Sequence, residues 1–392
     1  MRILFLDQSG ELGGAELCLA DIAQPFRQSS LVGVFNDGDF PERLRQLDIP
    51  VQVIAEQTLQ VQKESGLLAG FKSLGQLIPL IATVVRLSQD YDLIYANTQK
   101  ALVVGAIAAL LSRRPFVYHL HDIVSPEHFS AANRRIIVTL ANRAALIIAN
   151  SQSSRDAFVS AGGKIDRLHV VYNGFTPKIY IHHSDSKGQK KRKKFREELV
   201  PTNSLQENKK TPFIVGHFSR LSPWKGQHIL LEALQYCPDN VIALLIGDAL
   251  FGEQDYVQQL QQQIKTLNLE HRVKFLGFRS DVPRLMAACD LVAHTSTAPE
   301  PFGRVIVEAM LCGCPVVATA AGGATEIVEH GDTGWLVPPG NAAKLADIIM
   351  TAYTQPAQAG AIARRGQEKA QQRFSLSAIN AQINCLLDFI GN

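Results

Sequence analysis

No stretch of this sequence is apolar for long enough to cross a membrane. The longest such run, ALVVGAIAALL at 101–111, falls well short of the roughly 20 residues that span a bilayer, and reads as a buried helix. Cysteine is sparse, with six spread over 392 residues. The CGC at 312–314 fits no common zinc spacing, and no histidine pair completes it. The cysteines therefore read as reduced core residues of a cytosolic protein. An excess of one charge is missing as well: the formal net charge is +3, which gives no argument for nucleic acid as a partner. The first residues, MRILFLD, pass straight from apolar positions to Asp7 and read as a first strand rather than a signal-peptide core. Heptads, low-complexity tracts and fixed-period repeats are all lacking.

What is present is an alternation of short apolar runs with longer helical segments. The strand candidates in the first half are RILFL, LVGVF, VQVIA, DLIYAN, FVYHL, ALIIAN and LHVVYN. In the second half they are FIVGHFS, VIALLIGD, RVKFLGF, DLVAHT, PVVATA and TGWLVP. Fully apolar strands alternating with helices predict parallel sheets covered on both faces, here two doubly wound α/β domains. The expected boundaries are 1–184 for the first domain and 212–372 for the second. Residues 185–211 form a polar, basic linker or insertion, and 373–392 a last helix returning to the first domain. The basic stretch reads as a solvated surface, with an anionic-lipid patch as the sharper alternative. The segment 64–87, apolar with Lys72 and Arg86, reads as a core helix or as an amphipathic helix facing a membrane.

Three loops carry chemistry. QSGELGGAE at 8–16 follows the first strand, and Gly13 and Gly14 let the backbone of a helix start approach a ligand closely. It matches neither the dinucleotide fingerprint nor the P-loop. GHFSRLSPWKGQHILLEA at 216–233 opens the second domain as a strand, a turn and a helix. Arg220 and Lys225 bracket that turn, where two fixed cations suit a diphosphate. In PEPFGRVIVEAM at 299–310, Glu300 lies on a loop and Glu308 about one turn into a helix. The helix start suits an anionic phosphate, and a carboxylate accepts two hydroxyl hydrogen bonds at once, as gripping a sugar requires. VYHLHDI at 117–123 places His119 and His121 on one face at a strand end, followed by Asp122, where open α/β sheets bind ligands.

Taken together, GGAE, HLHD, VYNG, GHFSRLSPWKG, IGDA, FLGFRSDV and above all EPFGRVIVEAMLCGCPVVATAAGGATEIVEHGDTGWLVPPGN at 300–341 resemble glycosyltransferase family 4. The resemblance covers essentially the whole chain. It implies a GT-B fold, with two Rossmann-like domains facing across a cleft, the first binding acceptor and the second a nucleotide-sugar donor. It implies that Arg220 and Lys225 neutralise the donor diphosphate and that Glu308 holds the ribose. Glu300 would lie beside the donor sugar, with Phe302, Gly303, Arg304 and Val305 against sugar and phosphate. Phe278 and Arg279 would border the base, and Gly216 and Gly247 complete the donor side. Gly13 and Gly14 match the first-domain loop at the diphosphate. His121 matches the histidine near the reacting centre, with His119 and Asp122 toward the acceptor.

The activity so implied is retaining hexosyl transfer from a UDP- or GDP-sugar to a glycan or lipid-linked acceptor, in cell-surface polysaccharide or glycolipid synthesis. No cofactor and no metal is expected, because cations and a helix terminus already meet the leaving charge. The setting expected is cytoplasmic, with peripheral membrane contact. The rival readings are a small soluble acceptor and a non-catalytic relative that binds nucleotide sugar or glycan.

Overall fold

The structure, a computed structural model, describes residues 1–54, 67–181, 195, 196, 198, 199, 211–249 and 252–391. The chain divides into two compact units, one of Met1–Gly174 with Leu376–Asn392 and one of Phe175–Ser375.

The first unit is built on a parallel sheet of seven strands in the order β3-β2-β1-β4-β5-β6-β7. These are Ile3–Asp7, Ser30–Val34, Val51–Val53, Leu93–Ala96, Phe116–Leu120, Leu146–Ala149 and Leu168–Val170, numbered β1 to β7. β1, β4, β5 and β6 are buried along their whole length, because helices cover both faces and every side chain meets apolar surface. The helix Leu67–Ser88 places Leu80 and Val84 in that core and leaves Ile78 exposed, so one face of the described part of the 64–87 segment packs into the core. Among the described residues, no helix is long and apolar enough to cross a membrane. The last helix, Leu376–Gly391, sends Ile379, Ile383 and Leu387 into the core beside β1, β2 and β4. Asn380 Nδ2 donates to Asp21 O at 3.1 Å on the same unit.

The second unit carries six parallel strands in the order β10-β9-β8-β11-β12-β13. They are Phe213–Phe218, Val241–Ile246, Val273–Gly277, Leu291–His294, Val316–Thr319 and Trp335–Val337, numbered β8 to β13. Every strand of both sheets falls on an apolar run singled out above. Most of the basic stretch 185–211 lies outside the described residues. Two of its residues correct the solvated-linker expectation. Phe195 is 6% exposed, and Arg196 grips Asp290 through both terminal guanidinium nitrogens at 2.9 and 2.7 Å. Five cysteines are buried as expected, but Cys385 is exposed.

Candidate functional site

In the second unit β8 and β11 are neighbours, while the chain leaves β8 toward β9 and leaves β11 toward β12. Open α/β sheets bind ligands at such a switch point, beyond the carboxyl ends of the strands. After β8 the chain makes a 3₁₀ turn at Pro223–Lys225 and enters the helix Gln227–Leu234. Gly226 between them has φ +72°, and a Cβ there would lie 2.0 Å from Thr295 O. Only glycine brings the two loops this close.

That approach joins Lys225 to Glu300, 75 positions apart in the sequence. Lys225 Nζ donates to both carboxylate oxygens of Glu300 at 2.8 Å. Ser296 Oγ donates to Glu300 Oε2 at 3.0 Å, and His294 Nε2 lies 3.3 Å from the same oxygen. Lys225 Nζ also sits 3.9 Å above the Trp224 ring. Both members of the pair are largely withdrawn from solvent, with 14% of each side chain exposed. Burial by itself pushes the Glu300 carboxyl up, but the Lys225 charge and the His294 and Lys225 hydrogen bonds outweigh it. The group is held well below the usual carboxylate range.

The backbone of Glu300 is fixed as firmly as its side chain. It bridges to Gly322 as a short parallel pair, and Gly323 N donates to Glu300 O at 2.7 Å. A Cβ on Gly322 (φ +62°) would lie 2.2 Å from that carbonyl oxygen. Phe302 is 2% exposed and rests on Phe175 and Phe374. Gly303, at φ +99°, starts the helix Arg304–Leu311, with Val305 in its first turn. Glu308 lies one turn further, 3.9 Å from Arg304 Nε. Its carboxyl is raised by burial, against the pull of the Arg304 charge and a hydrogen bond with Tyr180.

Beyond β9 and β10 the loops interlock. Gly247 (φ +128°) would drive a Cβ to 2.1 Å from Ser219 O, and Phe278 N donates to Asp248 Oδ2 at 2.9 Å. The Phe278 ring is 65% exposed, and Arg279 makes two 2.8 Å bonds to Asp281. Arg220 joins the turn through its carbonyl, which accepts from Gln227 Nε2 at 2.8 Å. Gly216 lies inside β8, where a Cβ would meet Cys289 Sγ and the Phe218 ring, both at 2.6 Å. Its glycine therefore has a packing reason.

The first unit has its own switch point, between β1 and β4. Asp7 ends β1, and the loop after it leads through Gly13 and Gly14 into the helix Gly14–Ala23. Asn97 follows β4, and its Nδ2 donates to Asp7 Oδ2 at 2.7 Å and to Ala15 O at 3.1 Å. Asn97 Oδ1 lies 2.8 Å from His121 Nε2. Burial lifts the Asp7 carboxyl to about 6, against hydrogen bonds from Ser9, Asn97 and Gln8. The His119 and His121 rings lie 4.0 Å apart at a 34° tilt, and His119 Nδ1 meets Tyr95 Oη at 2.8 Å. Burial, and then the neighbouring His121, keep His119 neutral. Asp122 takes Gln99 Nε2 at 3.0 Å, and burial raises its carboxyl.

Two features bear on the expectation that no metal is used. Cys18, His119 and His121 bring ligand atoms within 4.8 Å of one another. The two rings, however, lie closer and flatter against each other than rings splayed tetrahedrally around one ion. Aspartate pairs of D-x-D spacing, the metal signature of another glycosyltransferase fold, do stand in the chain, at Asp37-Gly38-Asp39 and Asp90-Tyr91-Asp92. Asp37 takes Gly38 N at 3.0 Å, Asp39 begins the helix Asp39–Gln46, and Asp92 holds Arg2.

The residues that sequence reasoning passed over are His294 and Ser296 in the second unit, and Asp7, Tyr95 and Asn97 in the first. All stand in or at the ends of strands recognised as strands. A polar group closing an apolar strand, as in DLVAHTS and DLIYAN, was the signal available.

Comparison with known proteins agrees with this arrangement. The model of glycosyltransferase family 4 matches residues 13–178, and that of glycosyl transferases group 1 matches 201–372. The crystal structure of Anabaena HepE in complex with UDP and glucose is 58% identical, with 99% of each chain covered and a TM-score of 0.89. The same protein has been solved with UDP-glucose. N-acetyl-alpha-D-glucosaminyl L-malate synthase of Bacillus anthracis is 28% identical over 55% of this chain and 52% of its own. D-inositol 3-phosphate glycosyltransferase of Corynebacterium glutamicum is 27% identical over 77% and 73%. The chain spans about half the length of the first curated relatives it matches. With both models matched in order, and a 58% identical structure covered from end to end, the chain belongs to glycosyltransferase family 4 and has the GT-B fold.

Proposed function

We propose that this glycosyltransferase moves a hexosyl unit from a UDP-sugar, UDP-glucose foremost, to a glycan or lipid-linked acceptor, retaining the anomeric configuration and using no metal. The observation that carries this reading is the Lys225–Glu300 pair at the switch point of the second unit. Its support from outside is the 57% identical HepE, solved with UDP-glucose.

Glycosyl transfer builds positive charge at the anomeric carbon and negative charge on the departing diphosphate. Fixed cations act most strongly where water is excluded, and Lys225 is such a cation, with Arg220 in the same turn. A covalent nucleophile needs a carboxylate with its charge and lone pairs to offer. Glu300 has its charge met by Lys225 and further oxygen contacts from Ser296 and His294, which suits orienting a sugar hydroxyl. The bond between the anomeric carbon and the phosphate oxygen then breaks as the acceptor oxygen bonds on the same face. The acceptor proton passes to the leaving phosphate oxygen. Glu308 holds the ribose, and the backbone around Phe278 borders the base. The first unit takes the acceptor, with His121 serving the reaction.

The setting we propose is cell-surface polysaccharide or glycolipid assembly on the cytoplasmic side. A second reading, transfer to a small soluble acceptor, is favoured by the relatives named for inositol phosphate and malate. The test is calorimetric binding of UDP- and GDP-sugars with and without chelator, followed by NMR of the glycoside formed. Tighter GDP-sugar binding, an inverted product or loss of turnover with chelator would each overturn part of the proposal. Binding without any UDP release would favour a non-catalytic relative.

A further inference from the structure

We propose that Asn97 is a positioning residue that fixes the tautomer and ring orientation of His121, with Asp7 anchoring the far end of the chain. The inference rests on the reading of His121 as a residue that serves the transfer.

Asn97 is 1% exposed and pinned at the switch point of the first unit, where its backbone N donates to Leu6 O at 3.0 Å. Its side chain faces three groups. Two of them, Asp7 Oδ2 and the carbonyl of Ala15, are acceptors at 2.7 and 3.1 Å. A backbone carbonyl cannot donate, so the amide nitrogen must face Ala15 and both of its hydrogens are committed. The amide oxygen is thereby turned to His121 Nε2 at 2.8 Å. An amide oxygen only accepts, so Nε2 must carry the proton, and in the neutral ring the accepting nitrogen is Nδ1. Turning the amide over would set its oxygen against the Ala15 carbonyl and the Asp7 carboxylate at once.

Two further contacts hold the ring. His119, itself tied to Tyr95 Oη at 2.8 Å, lies against His121 with ring centroids 4.0 Å apart. Ala15 lies in the first turn of the helix that begins at Gly14, so the same amide that orients His121 also steadies the glycine loop. The sequence Asp7 carboxylate, Asn97 amide, His121 imidazole is a chain in which each group dictates the orientation of the next. Partners that fix a histidine's tautomer in this way act on turnover without touching substrate.

Long-range ¹H–¹⁵N correlation on the labelled protein tests the tautomer directly, with His121 assigned by the signals lost in His121→Gln. We expect a protonated Nε2 and a bare Nδ1 in the unaltered protein. A protonated Nδ1 with bare Nε2 would overturn the proposal without any variant at Asn97. In Asn97→Leu the preference should be lost, and kcat for UDP release from UDP-glucose should fall at least about tenfold with donor KM within about threefold. Asp7→Asn keeps an acceptor for Asn97 and should preserve the His121 tautomer. If Asn97→Leu weakens the donor KM alone, Asn97 serves only the glycine loop and the proposal fails. Unchanged turnover in His121→Gln would instead defeat the reading of His121 itself, leaving the tautomer result standing.

Discussion

Both sheets run in the order third, second, first, fourth, fifth, sixth strand, the first sheet adding a seventh, and in both, residues at or beyond the ends of the first and fourth strands meet at the switch point. In the second unit they meet as a full ion pair, Lys225 with Glu300, at 2.8 Å. In the first they meet as a carboxylate and an amide, Asp7 with Asn97, at 2.7 Å. The consequences are opposite. A cation beside a buried carboxylate outweighs the desolvation and keeps Glu300 ionised. An amide does not, so burial prevails and lifts Asp7 to about 6. One topology thus supplies either a fixed charge or a directional polar chain, depending on whether the carboxylate at one strand end meets a cation or an amide from the other.

The strongest way to break the comparison is to remove the cation. Lys225→Ala strands the Glu300 carboxylate, and breaking a largely buried pair in this way costs about 3–5 kcal/mol. Thermal unfolding should show the loss, and UDP release from UDP-glucose should fall by about 10³-fold. A drop of less than tenfold would remove Lys225 from the machinery. Trapping a glycosyl adduct on Glu300 during turnover would equally end the positioning role given to that residue.

The pH dependence of the two carboxylates sharpens the contrast. Glu300, with its folded pKa depressed, stabilises the protein above its ordinary 4.5 and loses that contribution as pH falls below it. Asp7 runs the other way: raised from 3.8 to about 6, its contribution is full below 3.8 and is lost as pH climbs to about 6. Asp7→Asn should therefore raise unfolding stability at pH 7 by up to about 3 kcal/mol relative to the unaltered protein, and by little near pH 4. Denaturant unfolding at the two pH values checks the sign. A variant that is equally affected at both would show that burial does not govern Asp7.

Smaller effects are expected away from the charges. Gly322→Ala places a methyl 2.2 Å from Glu300 O at φ +62°, and should cost about 2 kcal/mol or more and weaken UDP-glucose binding. Gly331→Ala, at φ +79° with nothing within 4 Å of the added carbon, should cost only about 1 kcal/mol and leave binding alone. Arg279→Ala should be the mildest. Its pair with Asp281 is partly solvated, with 36% and 29% of the side chains exposed. Stability should change by less than about 1 kcal/mol and, on the proposal that backbone borders the base, UDP affinity by less than about threefold.

The strands were legible in the sequence because a strand buried on both faces can only be an unbroken apolar run, as VIALLI and LVAH are. The glycines of the site were legible for a related reason, since Gly303 and Gly322 occupy backbone conformations that other residues rarely adopt. The pairings were not legible. Lys225 was expected to act with Arg220 on a phosphate, and its two bonds to Glu300 arise only because Gly226 lets one loop settle onto another. His294 and Ser296 were hidden inside a strand ending, and so was Asn97. Neither periodicity nor local turn chemistry states which strand ends are neighbours, and the sheet order supplies that information.

The bridge between Glu300 and Gly322 has a consequence for redesign. The loop that carries the glutamate is held by main-chain hydrogen bonds to the next loop as well as by the side chains around it. An exchange at its rim, such as at Ala321, should then leave the carboxylate in place. The glutamate is mounted on the frame, and a fitting at the rim is replaceable.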